Sequence, residues 1–274
     1  MSTEPVARPW RGVLRDRRVW ALGFVVLLIV PSFFLLARWQ LHRLDERREV
    51  NTAIEVHTQE PAVPVGRVMT AGAPPGSVGE DQQWRDVTAT GRYLTDDTQL
   101  VRKRPMNGAN GFWVMTPLQL PDGTVLAVNR GWLAAGSDAL TSPSVPPPPA
   151  GTVTITGRIR PSQDAPPRPG DLPAGKVTDL DVRAVPAAGP VYPGYVELVG
   201  SVPPEKGAPP VAPIPLPELD EGPHLSYAVQ WIAFALIAVG GFVLLVRSEA
   251  RRRAEDEQAA QVAPPVPLRP DVPG

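Results

Sequence analysis

The sequence predicts a membrane α+β protein in which two transmembrane helices flank an extracytoplasmic, antiparallel β-rich domain, either a sandwich or a small barrel. The first observation is that residues 19–37 and 225–246 contain no charged residue. Each run is long enough, as a helix, to cross a hydrocarbon core roughly 30 Å thick. The second observation is that short segments from residue 84 onwards alternate polar and apolar residues and are rich in β-branched side chains, as half-buried strands are.

Arginines next to the two apolar runs predict the orientation, because cytoplasmic flanks of membrane helices are enriched in basic residues. The chain then divides into five parts: a basic cytoplasmic arm (1–18), a first helix (19–37), an extracytoplasmic domain (38–223), a second helix (224–246) and a cytoplasmic tail (247–274) that is basic at first and disordered from residue 254. The arginines that follow the first run weaken this asymmetry. A cleaved secretory signal is the alternative for residues 19–37, but no small-x-small cleavage site follows them.

Composition excludes several classes of function. The formal net charge of −1 over 274 residues gives no support for a nucleic-acid partner. The absence of cysteine excludes disulfides, thiolate zinc sites and iron–sulfur clusters. The 36 prolines are far above average usage and predict extended loops or tails where they cluster, at 143–149, 161–173, 203–217 and 264–273.

Between the apolar runs, residues 38–58 lack glycine and proline, so the first helix is expected to continue through them until the prolines after Glu60 end it. One short helix is expected within 177–189. A turn at residues 121–123 predicts a hairpin between the third and fourth strands. The expected strands are 84–94, 98–105, 112–120, 124–134, 152–162 and 193–200.

A group of polar and aromatic residues is predicted at one membrane surface. His224, Tyr227 and Trp231 follow the spacing of one helical face, and antiparallel helices would place the start of 38–43 at the same depth. The full set is His224, Tyr227, Trp231, Arg38, Trp39, Gln40 and Arg43. An imidazole can coordinate haem iron and arginines can pair with propionates. From the residues alone, an interfacial aromatic belt with a polar histidine is the more frequent origin of such a group, because most histidines at a membrane surface bind nothing.

No enzyme motif is present. The sequence contains no nucleophile elbow, no glycine-rich phosphate loop and no HExxH zinc motif. The aspartates at 96–97 and at 179 and 181 have no accompanying base or ligand set, so they are interpreted as solvated loop carboxylates. A non-enzymatic protein is therefore expected, with an unrecognised extracytoplasmic hydrolase as the remaining alternative.

The chain resembles the surfeit locus 1 family of cytochrome c oxidase assembly factors. The resemblance extends over nearly the whole chain between its basic ends. The matching motifs occur in the family's order: "WQLHR" (39–43), "VTATGRYL" (87–94), "GFWVMTPLQLPDGTVLAVNRGW" (111–132), "VTITGRIR" (153–160), "YVELV" (195–199) and "HLSYAVQW" (224–231).

The resemblance implies a two-helix hairpin that holds a β-rich domain outside the bacterial cytoplasmic membrane and assists insertion of haem a into the catalytic subunit of the oxidase. His224 matches the family's proposed haem ligand, which would hold haem a transiently through its iron. The family's disease-associated glycine and tyrosine match Gly91 and Tyr227. A structural adaptor or accessory oxidase subunit that binds no haem is the alternative function.

The β-domain motifs carry four residues for which structural roles are expected. Gly91 and Gly131 are each interpreted as required for a turn, a bulge or a close approach of two backbones. Arg130 is expected either to pair with a partner's carboxylate or a haem propionate, or to form an internal salt bridge. Trp132 completes the "VNRGW" motif and is assigned a structural role with them.

Overall fold

A computed structural model of the protein describes residues 16–136, 143–163, 175–207 and 210–262. Parts of four predictions lie outside the described residues: the basic arm as far as residue 15, the proline-rich stretches at 164–173 and at 208–209, and the tail from residue 263. The chain divides into two compact units. A helical unit lies within residues 1–48 and 220–274, and a β unit comprises residues 49–219.

Helix α1 comprises Arg17–Gln59 and continues through Pro31 without a break. The prediction that residues 38–58 extend the first helix is confirmed. The helix ends where the chain enters "EPAVPV", because the residue before a proline is driven out of the α conformation. Its most apolar 18-residue window has a mean hydropathy of 2.6, and none of that window is buried.

Helix α2 comprises His224–Val262, so His224 is its first residue. It continues past residue 254, where the sequence predicted a disordered tail to begin, because "AEDEQAAQ" consists of good helix formers. Its most apolar window has a mean hydropathy of 2.4 and is 6% buried. Both helices are thus long and apolar enough to cross a membrane, and they fit a location in a cell membrane.

Small residues let the two helices of the helical unit approach each other. Ala37, Ala228 and Ala235 are each almost fully buried. A methyl group placed on Gly23 would lie 3.3 Å from the ring of Phe242, which contacts α1 at that point. Close packing of this kind is the usual basis of helix association in membranes.

The β unit contains all six predicted strands and two short ones that have no periodic signal. The additional strands are only two residues long, and such a segment cannot show an alternating pattern. The expected short helix corresponds to the 3₁₀ turn Val182–Ala184. The strands are β1 (Val63–Pro64), β2 (Asp86–Tyr93), β3 (Gln99–Val101), β4 (Gly111–Gln119), β5 (Val125–Ala134), β6 (Val153–Pro161), β7 (Lys176–Val177) and β8 (Val191–Val202).

The sheet is mixed, so the prediction of a purely antiparallel sheet is wrong. Its order is β1-β2-β6-β8-β5-β4-β3-β7, and β1–β2, β5–β8 and β3–β7 are parallel. Alternation reports which face of a strand is buried but not which strand lies beside it. The expected β4–β5 hairpin is confirmed. Pairing of β2 with β4 completes a cycle β2–β6–β8–β5–β4–β2, while the choice between a sandwich and a small barrel stays a prediction.

Gly91 lies where β2 meets β4. A Cβ atom at this position would lie 2.3 Å from the carbonyl oxygen of Gln119 and 3.1 Å from the side chain of Leu118. The next residue, Arg92, pairs with Gln119. Of the roles expected for this glycine, the structure shows a close approach of two backbones. The core beneath is formed by apolar side chains that include Val87, Leu118, Leu126, Ile155 and Val196.

Candidate functional site

His224 contacts Gln40 across the helical unit. Its Nδ1 atom lies 2.9 Å from Oε1 of Gln40 on α1. An amide oxygen carries no proton, so the hydrogen bond requires the imidazole to donate through Nδ1–H. In the neutral ring the lone pair is then on Nε2, which is the atom available to a metal or a proton donor.

An aromatic cluster lies on the same pair of helices, two turns further along α2. The rings of Phe33 and Trp231 are stacked with centroids 5.6 Å apart. Phe234 packs against both of them at 5.9 Å. Tyr227, by contrast, is 45% exposed. Three residues were predicted on one face of α2: His224, Tyr227 and Trp231. His224 and Trp231 contact α1, whereas Tyr227 is exposed.

Arg38 and Trp39, both predicted in this cluster, lie on a different face of α1 from Gln40. Trp39 is 52% exposed, and the guanidinium carbon of Arg43 lies 5.9 Å from its ring centre. Arg38 and Trp39 line a shallow depression of about 500 Å³ together with His42 and the adjoining turns. Helical spacing puts Gln40 and His42 on opposite sides of α1. The structure thus brings His224 together with Gln40, and Trp39 with Arg43, but does not gather the seven predicted residues into one site.

Two ion pairs connect α1 to the segment immediately before His224, and sequence reasoning missed both. Arg48 donates through Nε and Nη2 to the two oxygens of Glu221, at 2.8 and 3.0 Å. Arg47 lies 4.0 Å from Asp220. Residues so far apart in sequence give no local signal of pairing. Both pairs are half exposed, so they fix the position of the segment more than they stabilise the fold.

Arg130 is buried in the β unit and has an internal partner. Its side chain has no exposed surface, and Nε donates to Oε1 of Glu205 at 3.0 Å. Nη1 donates to the carbonyl oxygen of Pro146 at 3.0 Å. Of the two roles expected for this arginine, the geometry fits the internal salt bridge. Burial, together with the Glu205 carboxylate, raises the pKa of the adjacent Tyr93 hydroxyl.

Gly131 and Trp132 hold Val211 and Ala212, from a proline-rich stretch, against β5. Gly131 has φ +136°, and a Cβ atom there would lie 2.3 Å from the carbonyl oxygen of Ala212. Trp132 and Ala212 exchange two backbone hydrogen bonds of 2.8 Å. The indole Nε1–H of Trp132 donates to the carbonyl oxygen of Arg104 at 2.6 Å. Both residues thus have structural roles that their own contacts explain.

Comparison with known proteins identifies the family. The model described as "SURF1 family" matches residues 27–236. The chain belongs to the SURF1 family. An uncharacterised SURF1-like protein of Mycobacterium tuberculosis is 33% identical over 262 residues, which is 90% of each chain. A relative in Saccharomyces cerevisiae, named as the cytochrome oxidase assembly protein SHY1, is 28% identical over 41% of this chain and 28% of its own length.

The range matched by the SURF1 model contains all the motifs that carry the resemblance, from "WQLHR" to "HLSYAVQW". It includes both partners of the hydrogen bond between His224 and Gln40. It also includes the β-unit residues with structural roles, Gly91 and Arg130–Trp132. In this SURF1-family chain the motifs therefore correspond to two kinds of feature: a polar contact between the helices and the tight backbone contacts of the sheet.

A ladder of charges across three strands of this SURF1-family β unit was missed from the sequence. Asp86 on β2 faces Arg158 on β6, which faces Glu197 on β8. The Nε atom of Arg160 lies 3.6 Å from Glu197, and its guanidinium carbon lies 3.6 Å from the ring centre of Trp84. The alternation of "RIR" around the buried Ile159 is a signal that could have shown two arginines on one face of β6.

Glu197 gives a prediction for the pH dependence of stability. Burial raises the pKa of its carboxyl above the ordinary 4.5, against the lowering effect of Arg160 and Arg158. A carboxyl with a raised pKa in the folded state favours folding when it is protonated, and this contribution is lost as the pH rises through the folded-state pKa. Glu197→Gln is therefore expected to unfold at higher urea concentration than wild type at neutral pH, and the advantage should disappear as the pH falls towards 4.5. A variant less stable than wild type at neutral pH would show that the arginine pairing outweighs burial.

Proposed function

We propose that this SURF1-family protein is a non-enzymatic assembly factor for an aa3-type cytochrome c oxidase. It assists delivery or insertion of haem a, which is its cargo, at the outer surface of the membrane, and its partner is the haem-bearing catalytic subunit. Membership of the family and the assembly function named for the yeast relative support the role in assembly. The observation that carries the haem assignment is the imidazole of His224, whose Nδ1 is held by Gln40.

His224 has the features of an axial iron ligand. Its Nδ1 is bonded to an oxygen acceptor, as metal-binding histidines usually are, which leaves Nε2 for the metal. Arg38 and Arg43, on neighbouring turns of α1, are proposed as propionate partners because a guanidinium group binds a carboxylate through paired N–H donors. Trp39, Tyr227 and Trp231 are proposed to supply aromatic surface for the porphyrin. Haem a bound in this way brings its own redox chemistry, and the protein holds and releases it.

The proposed location is the cytoplasmic membrane, with both termini in the cytoplasm and residues 38–223 outside. The arginines beyond the two apolar runs support this orientation. The natural sequence contains no cysteine, so single cysteines can report it directly. An impermeant thiol reagent should label Asp122→Cys in intact cells and Ser248→Cys only after the membrane is permeabilised. The reverse labelling pattern would show that the protein has the opposite orientation in the membrane.

The haem assignment predicts that wild-type protein, purified from cells that make haem a, carries the visible spectrum of haem a. His224→Ala is expected to lose it, because the iron loses its ligand. His57→Ala is the matched control, since His57 lies about five turns further along α1 than Gln40. Absence of haem from the wild type, or retention by His224→Ala, would contradict the assignment. Oxidase subunits that co-purify with a haem-free wild type would instead favour the adaptor function.

A further inference from the structure

We propose that Gln40 is a positioning residue for His224. Its amide oxygen fixes the imidazole in the tautomer that carries the proton on Nδ1 and so presents Nε2, unprotonated, to the haem iron. This inference rests on the proposed function for its haem part. The tautomer itself is a property of the protein without haem.

The contact has the geometry of a full hydrogen bond. The distance of 2.9 Å is close to the usual value for a nitrogen donor and an oxygen acceptor. Both side chains are partly buried, and such bonds are stronger away from bulk water. Gln40 lies one turn after the buried Ala37, on the face of α1 that packs against α2. Rotation of the imidazole is thereby opposed by a residue 184 positions away in sequence, on the other helix.

A hydrogen-bond acceptor at Nδ1 decides which nitrogen of the imidazole can bind a metal. A neutral imidazole exists as two tautomers, and only the nitrogen without a proton can bind a metal. A free histidine side chain in water favours the proton on Nε2, which would block that atom. An acceptor at Nδ1 reverses this preference and also fixes the ring plane. The oxygen of Gln40 is such an acceptor, whereas among the described residues no hydrogen bond joins the ring to the exposed Gln230 on α2.

The opposite edge of the ring lies beside a glycine. Gly222 has φ +65°, and a Cβ atom at this position would lie 3.4 Å from both Nε2 and Cδ2 of His224. Any larger residue would place a side chain against the nitrogen that is proposed to bind iron. Among the described residues, the hydrogen bonds of the His224 ring involve Nδ1 alone. One edge of the imidazole is therefore held by Gln40, and the other edge lies beside a residue that has no side chain.

The tautomer can be measured without haem. Full-length protein with ¹⁵N-labelled histidine, in detergent micelles at a pH where the ring is neutral, has only three histidines to assign. In the wild type, Nδ1 of His224 should give the resonance of a protonated nitrogen and Nε2 that of an unprotonated one. Gln40→Leu should shift the population towards the Nε2–H tautomer, whereas Gln40→Glu, which keeps an oxygen acceptor, should retain the wild-type pattern.

Gln230→Leu is the matched control, because it makes the same chemical change on an exposed position of the other helix. It should leave the His224 resonances unchanged. A wild type that carries its proton on Nε2, or a Gln40→Leu protein with the wild-type tautomer, overturns the inference whether or not haem binds.

Titration of the same proteins with haem a tests the second half of the inference. Loss of an outer partner of a metal-binding histidine typically weakens binding about 10- to 100-fold, and this is the effect expected for Gln40→Leu. Gln40→Glu should recover wild-type affinity. Equal affinity of Gln40→Leu and wild type overturns the positioning role. If the wild type does not bind haem, the proposed function is wrong. The tautomer measurement, which needs no haem, would still test whether Gln40 holds the proton on Nδ1 of His224.

Discussion

Replacing Glu205 with alanine is expected to lower the free energy of unfolding of the β unit by about 3 kcal/mol, because it leaves a buried guanidinium group without its counter-charge. The Arg130 side chain has no exposed surface, and the Glu205 side chain is 24% exposed. The carbonyl of Pro146 remains as one acceptor but brings no negative charge. Urea unfolding of the full-length protein in a mild detergent, followed by tryptophan fluorescence, measures the change.

Two comparisons separate this effect from a general sensitivity to mutation. Glu60→Ala also removes a carboxylate that pairs with an arginine of the β unit, Arg85. In this pair the Glu60 side chain is 39% exposed. It should lower the free energy of unfolding by less than about 1 kcal/mol. Replacing both partners, Arg130→Met with Glu205→Leu, should recover most of the loss, since no charge is then left buried. A Glu205→Ala protein no less stable than Glu60→Ala would contradict the buried-pair interpretation.

The helices and the strands of this protein could be predicted because their signals are local. The uncharged runs at 19–37 and 225–246 and the period-two segments from residue 84 each report their own burial pattern. The parallel pairing of β5 with β8 could not be predicted in this way. It depends on which strand arrives beside β5, and that is decided by packing between segments that are distant in sequence.

In the candidate site, too, local features could be predicted from the sequence, whereas contacts between distant residues could not. Sequence spacing and depth suggested that His224 and Gln40 lie at one level, but not that they share a hydrogen bond or that helical rotation carries Arg38 and Trp39 to another face. Glu205 lies in a proline-rich stretch that looks like a surface loop, so nothing marks it as the partner of Arg130. The glycine motifs were more informative: they indicated a turn, a bulge or a close approach, although not that the approaching backbone is that of Gln119 at Gly91 and of Ala212 at Gly131.

Gly131→Ala is expected to lower the free energy of unfolding of the β unit by about 2–4 kcal/mol. The added methyl group would lie 2.3 Å from the carbonyl oxygen of Ala212 and 2.9 Å from the side chain of Val211, and the φ of +136° is a conformation that alanine rarely adopts. The sheet can relieve the contact only by moving Val211 and Ala212 away from β5. The two hydrogen bonds between Trp132 and Ala212 would then be lost.

That mechanism predicts a local effect as well as a global one. Hydrogen exchange at the amide of Ala212, which donates to Trp132, should become faster in Gly131→Ala even under conditions in which the sheet stays folded. Gly200→Ala is the matched control, since Gly200 is an exposed residue of β8 and an added Cβ would meet no atom within 4 Å. It should change stability by no more than about 0.5 kcal/mol and leave Ala212 protected. Equal stability of the two alanine variants would mean that the contact at Ala212 is not what requires glycine at position 131.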